Sequence, residues 1–225
     1  MSLYLVATPI GNSQDISLRG LEVLKSSEVI ILEERKESTA FLRSHGISGK
    51  QYEQLNEHST PEDLEFLLEL CRTKSVALIT DCGTPGFADP GADLVRLCRK
   101  NKVEIRTAPG ASSLMTILSL SSQRLDSFLY RGFLAVDTTL RRQQWSELRR
   151  EKQAIILMDT PYRLQRTLSE LVDFFPGRKV LMGVNLTQTE ESVHEGLSTE
   201  VKEQIQVSKA EFILLIYPPS SPTGE

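Results

Sequence analysis

With 225 residues, 40% of them hydrophobic, the chain has apolar material for one large core or two modest ones. A net charge of −4 argues against a protein that coats nucleic acid nonspecifically, and no run approaches the roughly 18 uninterrupted apolar residues of a membrane span. The amino terminus enters a strand pattern almost at once, with no signal-like segment, so the expected compartment is the cytoplasm and no membrane partner is expected.

Strand and helix signals alternate from the start, the pattern of a parallel α/β sheet. Leu3-Tyr4-Leu5-Val6-Ala7 reads as a strand running into Thr8-Pro9-Ile10-Gly11-Asn12. A helix pattern follows over about Ser17 to Lys25, then a strand at Val29 to Leu32. Thr60-Pro61-Glu62-Asp63 offers an N-cap, Pro at the first helical position and an acidic first turn. The helix it opens runs to about Arg72 and buries a stripe of Leu64, Leu67, Leu68 and Cys71, spaced i, i+3, i+4, i+7.

The apolar run Val76 to Thr80 leads into Asp81-Cys82-Gly83-Thr84-Pro85-Gly86-Phe87-Ala88-Asp89-Pro90-Gly91. Glycines and prolines between a strand and a helix fix unusual backbone angles and let main-chain N–H groups approach a ligand. A helix is expected over Gly91 to Lys100. A further strand at Val103 to Thr107 runs into Ala108-Pro109-Gly110-Ala111-Ser112-Ser113 and a helix from Ser112 to Leu120. The same punctuation thus recurs at three strand ends. In a parallel sheet such loops gather at the carboxyl edge, where open α/β sheets bind small molecules.

Between Ser121 and Ser127 the pattern relaxes, which places a domain boundary there: 1–122, then 123–218 with a mixed sheet, then a flexible tail at 219–225. The second half restarts with a strand at Phe128 to Phe133 and a helix rich in Arg and Gln. Strands at Ala154 to Met158, Lys179 to Val184 and Glu211 to Tyr217 follow. Asp159-Thr160-Pro161 caps one intervening helix, and another lies near Thr199 to Val207.

Cys71, Cys82 and Cys98 are odd in number and lack C-x-x-C spacing, so neither a disulfide framework nor a zinc site is indicated. Cys71 and Cys98 read as buried small hydrophobes. Cys82 lies in the ligand loop but has no His nearby in sequence to activate it. His45, His58 and His194 show no metal spacing. Arg141, Arg142, Arg149, Arg150 and Lys152, with Arg163 and Arg166 soon after, form either a basic patch or a solvated helix face interleaved with Glu147 and Glu151.

The opening Leu3 to Asn12, the segment Asp15 to Leu24, the loop Asp81 to Gly91 and the turn Pro109 to Ser113 together resemble the tetrapyrrole (corrin/porphyrin) methylase superfamily, within it the small-subunit ribosomal RNA methyltransferase branch. The similarity covers nearly the whole chain. It implies two α/β domains of the class III methyltransferase fold with a cofactor cleft between them, a homodimer, and S-adenosylmethionine as methyl donor. The branch implies 16S rRNA of the small ribosomal subunit as partner and a ribose 2′-hydroxyl as acceptor. Carried over position by position, the cofactor contacts are Pro9 of the first loop, Cys82, Gly83 and Thr84 of the second, Ser112 and Ser113 after Pro109-Gly110, and Met158 and Leu186 from the second domain; Phe87 adds apolar surface on the second loop.

The chain departs from that branch at three places. Glu33-Glu34-Arg35-Lys36 stands where the branch reads Glu-Asp-Thr-Arg, Asp159-Thr160-Pro161-Tyr162-Arg163 where it reads Glu-Ser-Pro-His-Arg, and Val184-Asn185-Leu186-Thr187-Gln188 where it reads Arg-Glu-Leu-Thr-Lys. The cofactor loops are kept while polar residues expected toward the acceptor change. A tetrapyrrole or other small acceptor, and a nucleotide-binding module without catalysis, therefore stand as alternatives. A ribose hydroxyl is a poor nucleophile that profits from a general base. The candidates are Glu33, Glu34, Asp81 and Asp15, none singled out by sequence.

Overall fold

The computed structural model describes residues 1–87, 89 and 91–219. The tail expected at 219–225 lies outside them beyond Pro219, as do Ala88 and Pro90 of the second loop. The chain divides into two compact units, Met1–Ser112 and Ser113–Glu225.

The first unit carries strands β1 (Ser2–Val6), β2 (Val29–Leu32), β3 (Gln51–Gln54), β4 (Ser75–Leu78) and β5 (Glu104–Ala108) in the order β3-β2-β4-β1-β5. Every neighbouring pair is parallel. Helices α1 (Leu18–Ser26), α2 (Arg35–Ser44), α3 (Pro61–Thr73) and α4 (Gly91–Lys100) connect them. The α3 start is the expected one: Thr60 and Asp63 form a reciprocal capping box with Pro61 at the first turn.

The central strands are apolar on both faces because both are covered. Ile30, Leu32, Ala77 and Val6 pack with Leu24 of α1 and Leu42 of α2. Val29, Ile31, Val76 and Leu3 pack with Leu67 and Leu68 of α3 and Leu94 and Cys98 of α4. Neighbouring strands β1 and β4 therefore send their following helices, α1 and α4, to opposite faces. Their carboxyl ends form a topological switch point, where an open sheet leaves a crevice.

The second unit opens with α5 (Ser113–Ser119) and holds β6 (Phe128–Phe133), β7 (Ala154–Asp159), β8 (Lys179–Val184), β9 (Ser192–Leu197) and β10 (Phe212–Ile216) in the order β6-β7-β10-β8-β9. Only β6 and β7 run parallel. Helices α6 (Thr138–Leu148), α7 (Leu164–Phe174) and α8 (Ser198–Gln204) cover one face, where Trp145, Leu168, Leu171 and Val201 meet Ile155, Leu157, Met182 and Leu214. The division falls at Ser112/Ser113, against the 122/123 read from sequence, because α5 packs on β10 and β8 of the second sheet.

Candidate active site

The exits of β1 and β4 are tied into one piece. Thr8 donates its N–H to the Gly83 carbonyl at 2.8 Å and accepts the Gly83 N–H at 3.2 Å. Its buried hydroxyl reaches the Thr80 carbonyl at 3.0 Å. Gly83 makes this turn at φ +83°, which a side chain other than glycine's rarely tolerates. Further on, the Asp89 carboxylate gathers the N–H groups of Gly86, Phe87 and Gly91 at 2.7–3.2 Å, closing the loop ahead of α4. A Cβ on Gly91 would stand 2.8 Å from Asp89 Oδ1 and 3.1 Å from Gly86 N, so a larger residue there would displace the carboxylate. The Thr84 hydroxyl meets the Ala111 carbonyl at 3.4 Å, linking the loop after β4 to the one after β5. The three loops predicted to share one edge do so.

Beside them lies a cavity of about 220 Å³ lined by Thr8, Pro9, Ile10, Asp81 and Cys82 from the loops and by Glu37, Ser38 and Phe41 from α2. Asp81 is held in place from α2: its Oδ1 accepts the Ser38 hydroxyl at 2.9 Å and the Glu34 N–H at 3.3 Å. Glu33 Oε2 accepts the Asp81 N–H at 3.4 Å. Burial pushes the Glu33 carboxyl above its ordinary range; the Asp81 N–H pulls the other way, and the charges of Asp81, Asp89 and Glu34 add to the rise. Glu34 caps α2 and Asp15 ends an exposed 3₁₀ turn, so of the four candidate bases only Asp81 borders the cavity. Sequence reading missed the α2 wall. Its signal was there in Ser38, Phe41 and Leu42, spaced i, i+3, i+4.

Of the predicted cofactor residues, Pro9 and Cys82 line the cavity. The Cys82 Sγ lies 3.7 Å from the Ile10 carbonyl. Gly83 is buried in the bridge to Thr8, Thr84 is exposed, and Phe87 is 47% exposed on the loop. Ser112 closes the first unit and Ser113 opens α5. In the second unit, Met158 takes the Tyr130 hydroxyl on its sulfur at 3.4 Å at the end of β7. Leu186 is 6% exposed, its side chain under Gly183, where an added Cβ would meet it at 2.8 Å. The turn that carries Leu186 is locked by Asn185, whose N–H reaches the Glu211 carbonyl at 2.8 Å while its Oδ1 accepts the Glu211 N–H at 3.1 Å.

The basic cluster of the second half divides. Arg141 is fully buried, donating from Nε to Glu170 at 2.6 Å, from Nη1 to Asp159 at 2.7 Å and from Nη2 to Thr167 at 2.9 Å. Arg163 pairs with Asp159 and Arg166 with Glu170. Against the burial that would raise it, bonds from Arg141, Trp145 and Arg166 hold the Glu170 carboxyl below its ordinary range. Only Arg142, Arg149, Arg150 and Lys152 of the cluster are exposed. Among the described residues, no group of three or more His, Cys, Asp or Glu could hold a metal ion, and no helix is long and apolar enough to cross a membrane.

A family model, that of the tetrapyrrole (corrin/porphyrin) methylases, matches residues 2–202. The chain belongs to this family. It is an S-adenosylmethionine-dependent methyltransferase. Among relatives of this methylase, the ribosomal RNA small subunit methyltransferase I of Leptospira biflexa is 35% identical over 215 residues, covering 95% of this chain and 90% of the relative. That of Rickettsia prowazekii is 37% identical over 217 residues, with 95% and 77% covered. The solved structure of a diphthine synthase superposes with a TM-score of 0.70 at 17% identity, over 97% of this chain and 90% of that one. A cobalt precorrin-4 methyltransferase gives 0.70 at 16%, over 96% and 94%. These two show that the methylase shares their fold.

The loops of the first unit fit the cofactor's chemistry. Thr84 and Ser112 offer hydroxyls, Pro9 and the half-exposed Phe87 offer apolar surface for a nucleoside, and Gly83 supplies a φ of +83° that other residues rarely adopt.

Proposed function

We propose that this methylase transfers a methyl group to a ribose 2′-hydroxyl of 16S rRNA in the small ribosomal subunit. The reading is carried by relatives of that name, 31–37% identical over nearly the whole chain. Bound S-adenosylmethionine supplies a methyl group already activated as a sulfonium. The chain's own work is alignment, which can contribute up to about 7–11 kcal/mol toward the barrier. Pro9, Cys82, Gly83, Thr84, Phe87 and Ser112 are assigned to holding the donor on the first unit. Ser113, Met158 and Leu186 are the second unit's assigned contacts. The same reading implies a homodimer working in the cytoplasm, where small subunits are found. Light scattering at twice the mass of one chain would support the dimer.

The deciding experiment is transfer of labelled methyl from S-adenosylmethionine to small subunits lacking the 2′-O-methyl mark. Label recovered in a 2′-O-methylated nucleotide of 16S rRNA is the expected result. Tight cofactor binding without transfer would overturn the acceptor assignment.

A further inference from the structure

Along the carboxyl edge of the first sheet, the candidate cofactor residues and the cavity are neighbours with a shared boundary. Gly83 is bridged to the β1 exit and Thr84 to the β5 exit, on one side. Asp81 with Ser38, Glu37 and Phe41 of α2 closes the other side, toward β2. Pro9 and Cys82 stand between. Methyl transfer from a sulfonium is an in-line displacement, so the acceptor oxygen must arrive on the face of the methyl opposite the sulfur. A donor held on the β1 and β5 side leaves the α2 side for the acceptor.

We propose that this cavity receives the acceptor nucleoside and that Asp81 is the catalytic residue that takes the proton of its 2′-hydroxyl. This rests on the ribosomal RNA reading above and names the residue that serves it. The cavity, of about 220 Å³, has room for part of an acceptor, such as a ribose and the edge of its base. Phe41, Ile10 and Ile79 give apolar wall for a base or sugar face, and the charged groups of the lining, Glu37 and Asp81, are both acceptors, suited to hydroxyl or amino groups and not to phosphate. Phosphates flanking that nucleotide have Arg35 and Lys36, exposed on the first turn of α2.

Asp81 is built for the role. The Ser38 hydroxyl and the Glu34 N–H both act on Oδ1 and fix the carboxylate, which leaves Oδ2 for the incoming hydroxyl. Glu33 Oε2 accepts the Asp81 main-chain N–H at 3.4 Å and so helps hold the backbone that carries the carboxylate. In the step, the acceptor oxygen bonds to the methyl carbon while the carbon–sulfur bond breaks and its electron pair stays on sulfur. The hydroxyl proton passes to Asp81. The products are the 2′-methoxy nucleotide, S-adenosylhomocysteine and a protonated carboxyl that solvent then deprotonates.

Full-length Asp81→Asn and Ser38→Ala are compared with wild type in calorimetric binding of S-adenosylhomocysteine and in methyl transfer to unmarked small subunits, with circular dichroism to check folding. Asp81→Asn should bind S-adenosylhomocysteine as wild type does while kcat falls about 10²–10⁴-fold, the range of a lost general base. Ser38→Ala, which keeps the carboxylate but frees its orientation, should lower kcat by up to about 10²-fold, again with unchanged binding; it decides the matter alone if Asp81→Asn does not fold. Wild-type turnover in the folded variant overturns the inference and spares the acceptor reading. Loss of S-adenosylhomocysteine binding assigns the cavity to the cofactor and also overturns it. A wild-type protein that binds S-adenosylhomocysteine but leaves small subunits unmodified removes both.

Discussion

Replacing Arg141 with methionine tests the buried ion network of the second unit directly. The guanidinium is wholly inaccessible and satisfies Asp159, Glu170 and Thr167 at once. Methionine fills much of the same space, so little of the cost is a cavity; most of it is two carboxylates left in low dielectric without their shared cation. Removing one partner of a buried pair costs about 3–5 kcal/mol. Arg163 at 3.1 Å from Asp159 and Arg166 at 2.9 Å from Glu170 still answer part of that charge, which puts the expected loss near the lower end, about 3 kcal/mol. With a urea slope of about 1–3 kcal/mol/M, the unfolding midpoint should fall by about 1–3 M. The single tryptophan, Trp145, donates to Glu170 at 2.8 Å, so its fluorescence reports the unfolding of this unit. Arg166→Met is the control: with Arg166 38% exposed, its pair should be worth no more than about 1 kcal/mol. A midpoint for Arg141→Met within about 0.3 M of wild type would refute the reasoning.

Gly83→Val places a β-branched residue at φ +83°, although the nearest contacts of an added Cβ, Ile10 at 3.6 Å and the Ala111 carbonyl at 3.8 Å, leave it room. Calorimetry should show S-adenosylhomocysteine binding abolished with native helix content kept; retained binding would remove this loop from the cofactor site. Glu33 has a folded-state pKa above the 4.5 of an ordinary glutamate, so between that value and the raised one the folded chain binds more protons than the unfolded chain, and stability falls as pH rises through the window. Glu33→Gln should flatten that slope and raise the melting temperature at neutral pH, and parallel melting curves for the two proteins would count against it. Cys82 is exposed while Cys71 and Cys98 are buried, so one equivalent of a thiol reagent should react fast and map to Cys82, the other two only on unfolding. Prompt modification of Cys71 or Cys98 in the native protein would contradict the packing of α3 on α4.

The central strands of the first sheet, β1, β2 and β4, were legible because both of their faces are apolar, and the start of α3 because Thr60, Pro61 and Asp63 announce it chemically. The Gly/Pro loops could be placed for the same local reason: glycine supplies the positive φ at Gly83 and Gly86, and proline restricts the chain around them. Strands β3 and β9 escaped, being polar segments, Gln51–Gln54 and Ser192–Leu197, held by edge pairing and not by apolar pattern. Arg141 was illegible for a deeper reason. A guanidinium is buried only where carboxylates distant in sequence converge on it, and nothing within α6 itself reveals Asp159 or Glu170. Asp81 was one carboxylate among four until α2 supplied the hydroxyl and N–H that orient it.

The order β6-β7-β10-β8-β9 sets a timetable for synthesis. Strand β10 comes after every other strand in the chain, yet it lies between β7 and β8 and bonds to both. Until Ile216 has left the ribosome, β6-β7 and β8-β9 are separate ribbons with open apolar edges and no strand to join them. The first unit has all five of its strands long before that and can close its sheet while the second waits. A nascent chain whose β9 has emerged and whose β10 has not would therefore present one finished sheet and two unfinished ribbons, and the unfinished edges are where chaperones would bind.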